Sequence, residues 1–240
     1  MRSVLAVTKR ELRSYFNSPA AYAVIVFFLV FTAAWLFFIQ QFFAKDSSSL
    51  RAYFGIFPTV FVLLIPAITM RSWAEERKLG TDELLFTFPI REAELVAGKY
   101  LAAFILLVII LALTVAVPLT VAPVGFFDPG QIASEYLGVV FLAAAAIAVG
   151  LFLSAVSTNQ VTAFLSTVFA LLFLTFIGDL PKTARLPYWT ASVVNYLSID
   201  YHFDSFRKGV LDSRDIAYFV LVSAGFLYAN VKVLVLAKWK

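Results

Sequence analysis

Six long apolar runs separated by short polar stretches set the pattern of this 240-residue chain. They cover residues 20–41, 53–70, 100–121, 136–156, 161–177 and 216–236. Each approaches the roughly 20 residues that a helix needs to cross a bilayer. Pro58 and Pro66 predict a kink in the second run. Pro123 and Gly125 follow the third, and a tight polar turn, Ser157-Thr158-Asn159-Gln160, joins the fourth to the fifth. Residues 2–17 have a different pattern. At about 100° per residue, Val4, Leu5, Thr8, Leu12, Tyr15 and Phe16 share one side, while Arg2, Lys9, Arg10 and Arg13 share another. That pattern predicts an amphipathic helix in the headgroup layer, with Lys9, Arg10, Arg13, Tyr15 and Phe16 at the membrane interface. Asn17-Ser18-Pro19 ends it and opens the next helix. The competing reading is the basic start of a signal peptide, but the apolar run that follows is too long for one and no convincing small-residue cleavage site follows it.

Composition agrees with the pattern. The chain is 62% hydrophobic and 14% charged, with a mean hydropathy of +0.89. Soluble domains are nearer 45–50% apolar and about 25% charged. The expected fold class is therefore an all-α integral membrane protein, one domain over residues 1–240 with six transmembrane helices. There is no Cys and a single His, His202, which excludes disulfides, thiolate chemistry and the common Cys or multi-His metal sites. No metal site is expected. None of the six runs carries Asp, Glu, Lys or Arg near its centre; Glu135 and Lys232 lie at run ends and are expected to snorkel. Proton and ion pathways are marked by ionisable groups at mid-membrane, so a protein of this kind that moves a cargo takes its energy from elsewhere. No glycine-rich phosphate loop is present, so this chain does not itself hydrolyse ATP.

Charge collects in one place. Residues 71–99 hold five basic and six acidic side chains between two strongly apolar runs. Within them, Gly80 is placed to cap the helix leaving the membrane, and Thr81 to N-cap a new one with Asp82 and Glu83 in its first turn. Leu84, Leu85, Phe86 and Phe88 give that helix an apolar side, and Pro89 stops it. Two readings stand: a solvated loop with ordinary caps, and a helix that docks into a partner. Six spans put both termini on one side. Counting Lys and Arg, 12 fall on the side of the termini and the 71–99 loop and 7 on the other. The termini and that loop are therefore expected to be cytoplasmic.

The outer segment, residues 178–215, is aromatic and too polar to span. A short helix over 199–208, closed by Gly209, is expected there. Its rings serve either as interfacial anchors or as a substrate or partner contact. His202 is either a pH-sensitive group or a structural one.

The Glu75-Glu76 pair resembles that of the CAAX-type membrane proteases, but that family has an Arg where this chain has Gly80, and its additional His residues are absent. No Gly-x-Ser-x-Gly-like site lies in a span. A different family fits nearly the whole chain. KRELRSYFNSPAAY at residues 9–22, RSWAEERKLGTDELLFTFPI at 71–90, Gly98-Lys99 and the STNQ turn at 157–160 resemble the six-helix permease of an ABC-2 type exporter. HFDSFRKGVLDSRD at 202–215 is closest to the gliding-motility-associated GldF branch. The resemblance implies a connecting helix at 2–17 and a cytoplasmic coupling helix between spans 2 and 3. It implies an ATPase-coupling set of Glu75, Glu76, Arg77, Lys78, Thr81, Asp82, Glu83, Leu84 and Leu85. It further implies a separate ABC ATPase dimer that binds ATP and Mg, a second permease chain forming a homodimer, and location in the bacterial inner membrane. This chain would bind no cofactor, contact membrane lipid and not nucleic acid. A GldG-like accessory membrane protein would meet the outer segment through His202, Phe203, Asp204, Phe206 and Arg207. The alternative function is a mechanotransmitter that uses ATP-driven motion to act on an extracytoplasmic partner without moving a cargo.

Overall fold

A computed structural model describes residues 2–43, 49–81, 90–124, 127–181 and 187–238. Among them there is no strand, and six helical segments are long and apolar enough to cross a membrane. This is an all-α, six-span, multi-pass membrane protein.

Helix α1 (Arg2–Asn17) precedes the bundle. The first span is α2 (Pro19–Ala34), whose last turn widens into a π-helical stretch over Trp35–Ile39. The second span is broken into α3 (Arg51–Phe54) and α4 (Phe57–Thr69). Pro58 sits in the first turn of α4, where its missing N–H costs nothing, so only Pro66 interrupts the helix interior. A short α5 (Ala74–Lys78) follows. The third span, α6 (Glu92–Thr114), starts eight residues before the expected 100 and continues as α7 (Ala116–Val121). Glu92 and Glu94 lie in its first turn, where the helix dipole favours them. Pro118 takes away the N–H that would bond the carbonyl of Thr114, which is where α6 ends.

The fourth span, α8 (Pro129–Val156), also starts early, by seven residues. Asp128 Oδ1 accepts from Gly130 N at 2.8 Å, and Pro129 occupies the first turn. Asn159 caps α9 (Gln160–Phe176) through a reciprocal box with Thr162. The outer segment contains α10 (Tyr188–Leu197) and α11 (Ile199–Arg207), the latter ended by Gly209 at φ 77°. The last span is α12 (Ser213–Lys238).

Helices α4 and α8 form the inside. In their most apolar windows 72% and 67% of residues are buried, against 17% in the first and sixth spans. Small residues let neighbours approach α8 closely. A Cβ at Gly138 would lie 2.5 Å from Phe206 Cβ on α11, and one at Gly150 would overlap Thr69 of α4. Rings of Phe28, Tyr53, Phe54, Phe57 and Phe61 lock α2 to α3 and α4, with centroids 5.2–6.1 Å apart. One expectation fails here: Glu135 does not snorkel but is fully buried, with Oε1 accepting from Gln131 Nε2 at 3.2 Å. The seven added residues of α8 set it a turn and a half inside the helix, facing α11 rather than an interface.

Candidate functional site

At the end of the bundle that carries α1 and the C-terminus, four charged side chains meet. Lys99, 1% exposed, comes from α6; Glu11 and Arg10 from α1; Glu76 from α5. Lys99 Nζ lies 2.8 Å from Glu76 Oε1 and 3.3 Å from Glu11 Oε1, donates to Ser72 O, and stands 4.6 Å over the Trp73 ring. Arg10 Nη2 reaches Glu11 Oε1 at 2.7 Å and Glu76 Oε1 at 3.0 Å. Burial pushes both carboxyls up. At Glu11 the Lys99 and Arg10 charges outweigh it and hold the group below the usual carboxylate range. At Glu76 they do not, Glu11 adds to the rise, and the group stays above it.

Each member is held by its element. Helix α1 docks on α6 at Gly98, where a Cβ would lie 2.7 Å from Val7 Cβ, and Thr8 Oγ1 donates to Gly98 O at 3.2 Å. Tyr15 Oη donates to Ile68 O at 3.2 Å, and burial pushes its phenol up to about 12. Helix α5 is fixed from α8. Ser154 Oγ accepts from Trp73 N and Ala74 N at 3.2 and 3.3 Å, supplying the N-cap that the local sequence lacks. Arg77 Nη1 donates to Ser157 O at 3.0 Å, at the carbonyl end of α8. Thr81 Oγ1 donates to Glu76 O, and Gly80 (φ 66°) turns the chain away. Lys238 Nζ, 2.9 Å from Glu92 Oε1, ties the end of α12 to the start of α6. One charged joint thus connects α1, α5 and α6, and α5 is strapped to α8.

The residues singled out from sequence divide. Of the interface set on α1, Lys9, Arg13 and Phe16 are exposed. Arg10, also exposed, and the half-buried Tyr15 bond protein partners as well, because the packed face of α1 is centred on Val4, Val7, Thr8 and Glu11 rather than on the full apolar arc. In the coupling set, Glu76 and Arg77 face the bundle, Glu75 and Thr81 are half-buried, and Lys78 is exposed. Asp82, Glu83, Leu84 and Leu85 lie outside the described residues, as does most of the expected coupling helix. Glu11, Lys99, Trp73 and Ser154 were missed. The signal for Lys99 was its place on a helical stripe with Leu95, Ala102, Ala103, Leu106 and Ile110, all buried.

At the opposite end, His202, Phe203 and Phe206 are buried by α8, α10 and α12, so the expectation that they meet an accessory partner gives way to a packing role. The reason is the amphipathic face of α11, whose apolar side had a closer surface to cover. His202 Nδ1 lies 2.7 Å from Asp215 Oδ1, Nε2 lies 3.1 Å from Tyr196 O, and the ring stacks on Tyr218 at 3.9 Å. Asp204 and Arg207 stay partly exposed and bond each other at 2.6 Å. Burial pushes the Asp204 carboxyl up, but Lys208 and Arg207 outweigh it and hold it below its ordinary value. Arg51 Nε and Gln131 Nε2 both donate to Arg207 O, at 3.1 and 3.2 Å, joining α3, α8 and α11.

Among the described residues, no group of three or more His, Cys, Asp or Glu is placed to hold a metal. The joint ties the start of the 71–99 loop to α1 and α6, and Arg77 and Ser154 tie it to α8. No curated protein matches the chain. A family model described as ABC-2 family transporter protein matches residues 21–204, from the start of α2 into α11, including Glu76 and Lys99 but not α1. Members of this family are normally non-catalytic membrane subunits. With a six-span helical fold and a match over well more than half its length, the chain belongs to the ABC-2 family transporter proteins.

Proposed function

We propose that this chain is the permease subunit of an ATP-driven exporter of the GldF-like branch, set in the bacterial inner membrane with its termini and the 71–99 loop cytoplasmic. A separate ABC ATPase dimer, binding ATP and Mg, docks on that loop through Lys78, Thr81, Asp82, Glu83, Leu84 and Leu85. Two copies of the permease complete the unit, and a GldG-like membrane protein meets the outer segment through Asp204 and Arg207.

The observation that carries this reading is the joint around Lys99. Force applied just past α5 passes through Arg77 to the end of α8 and through Glu76 to Lys99 on α6 and Arg10 on α1. A loop that were only solvated would have no use for a buried ammonium binding it to α1 and α6. Closure of the ATPase dimer then shifts the helices as packed bodies, the usual form of such transitions.

The test is ATP hydrolysis by the complex purified in lipid with a co-expressed ABC ATPase. Wild-type protein is expected to retain the ATPase, and Glu83→Arg to insert normally yet uncouple hydrolysis, because it reverses charge in the first turn of the expected coupling helix. Failure of wild type to bind an ATPase, or unchanged coupling in Glu83→Arg, overturns the proposal.

A further inference from the structure

Beside the charged joint lies a cavity of about 430 Å³ between α1, α2, α4 and α6. Its two ends differ. Arg10, Glu11, Arg71, Glu75, Glu76 and Lys99 line one, and Val24, Ile25, Leu106 and Ile110 line the other. From Lys99 to Ile110 is 11 residues of α6, about 16 Å along the helix axis. The volume is in the range of small-molecule sites, and the polarity runs the long way.

Three buried polar atoms of residues lining the charged end have no hydrogen-bond partner among the described residues: Arg71 Nε, a donor, Glu76 Oε2, an acceptor, and Ser72 Oγ, which can be either. Buried groups of this kind are normally satisfied. In the same side chains, Arg71 Nη1 donates to Ser18 Oγ at 3.1 Å and Glu76 Oε1 holds Lys99. A ligand that completes the site therefore brings an acceptor for the guanidinium and an N–H donor for the carboxylate. It also brings an apolar chain for the slot. The six charged side chains at that end comprise three of each sign, so an ionic ligand of zero net charge fits better than an anion. The exposed cations Lys9 and Arg13 on α1 place this end at headgroup depth.

We infer that the cavity between α1, α2, α4 and α6 is a binding site for a zwitterionic membrane phospholipid with a primary-ammonium headgroup. The phosphate meets Arg71, the ammonium meets Glu76 and Glu75, and one acyl chain lies along Val24, Ile25, Leu106 and Ile110. A quaternary headgroup has no N–H to donate to Glu76, and an anionic headgroup leaves the charged end net negative. The site differs from the basic inter-helix pockets that take anionic lipids. It does not rest on the coupling proposal, and its test needs no ATPase.

Delipidated full-length protein in neutral detergent is titrated with phosphatidylethanolamine, phosphatidylcholine and phosphatidylglycerol of identical acyl chains. Retention by native mass spectrometry and the melting temperature are read. Phosphatidylethanolamine is expected to be retained about tenfold better than the other two, the weight of one charge-assisted hydrogen bond, and to raise the melting temperature. Ile110→Trp, which fills the slot far from the charges, should remove that advantage. Glu75→Gln, a half-buried isosteric change that tests the headgroup end even if the first variant folds poorly, should reduce it. Equal retention of all three lipids by wild type, or an undiminished preference in Glu75→Gln, overturns the assignment.

Discussion

Lys99→Met removes the ammonium from the charged joint while keeping an unbranched stem against Trp73. Glu11 and Glu76, whose side chains are 15% and 18% exposed, then face each other with Arg10 as their remaining cation. Breaking a buried ion pair by deleting one partner costs about 3–5 kcal/mol. Arg10 still reaches both carboxylates but is itself 52% exposed and screened, so the lower end, about 3 kcal/mol, is expected at neutral pH. For a domain of this size that corresponds to about 6–12 °C in melting temperature.

The pH dependence has a definite sign. Glu76 already holds its proton more tightly folded than unfolded. Its charged form therefore opposes folding above its ordinary range, and that penalty is relieved as pH falls through the folded value. Losing Lys99 raises the folded value further, so the deficit of Lys99→Met should be smaller at pH 5 than at pH 8. Glu11 moves the other way in wild type: its contribution is present above its ordinary range and is lost as pH falls through its lowered folded value. The assay is thermal unfolding of purified protein in detergent at both pH values, followed by tryptophan fluorescence, with Glu76→Gln and Glu76→Gln/Lys99→Met alongside. The double variant should regain part of the lost stability, because it no longer sets two carboxylates against the half-exposed Arg10 alone. A Lys99→Met protein that melts within about 1 °C of wild type at both pH values would refute the reasoning, since a shift that small corresponds to well under 1 kcal/mol.

Three further outcomes are expected. Ser154→Ala strips the cap from α5 and should cost about 1 kcal/mol, with hydrogen exchange accelerating at residues 73–78 of α5 more than along α8; uniform exchange would count against a capping role. Gly98→Val drives a side chain into Val7 and should cost about 1–3 kcal/mol as overpacking, read as a lower melting temperature and faster proteolysis of α1, whereas Gly225→Ala, with nothing within 4 Å of a Cβ, should cost less. His202→Ala leaves Asp215, 6% exposed, without its 2.7 Å partner and should destabilise by about 1–3 kcal/mol; a stability equal to wild type would show that water satisfies that carboxylate.

The sequence by itself determined the class of this protein. Apolar run length and the low share of charge are enough for six spanning helices, because backbone groups in lipid must bond within their own segment. Turn chemistry was legible as well: Asn159 and Gly209 cap helices in the structure as their residue types suggest. The helices that carry the apolar runs beginning at residues 100 and 136 start earlier than those runs, at Glu92 and Pro129, where Glu92 and Asp128-Pro129 are start signals that apolar content does not report.

Only the tertiary structure decided which polar residues matter. Glu11 and Lys99 lie 88 residues apart in sequence and meet because Gly98 lets α1 settle on α6. Ser154 caps a helix 80 residues away. Glu135 looked like a snorkelling end residue until α8 extended past it. In each case the deciding quantity is the environment of a side chain, which depends on how close two helices come. Periodicity reports which face of a helix is apolar, but not which neighbour covers it.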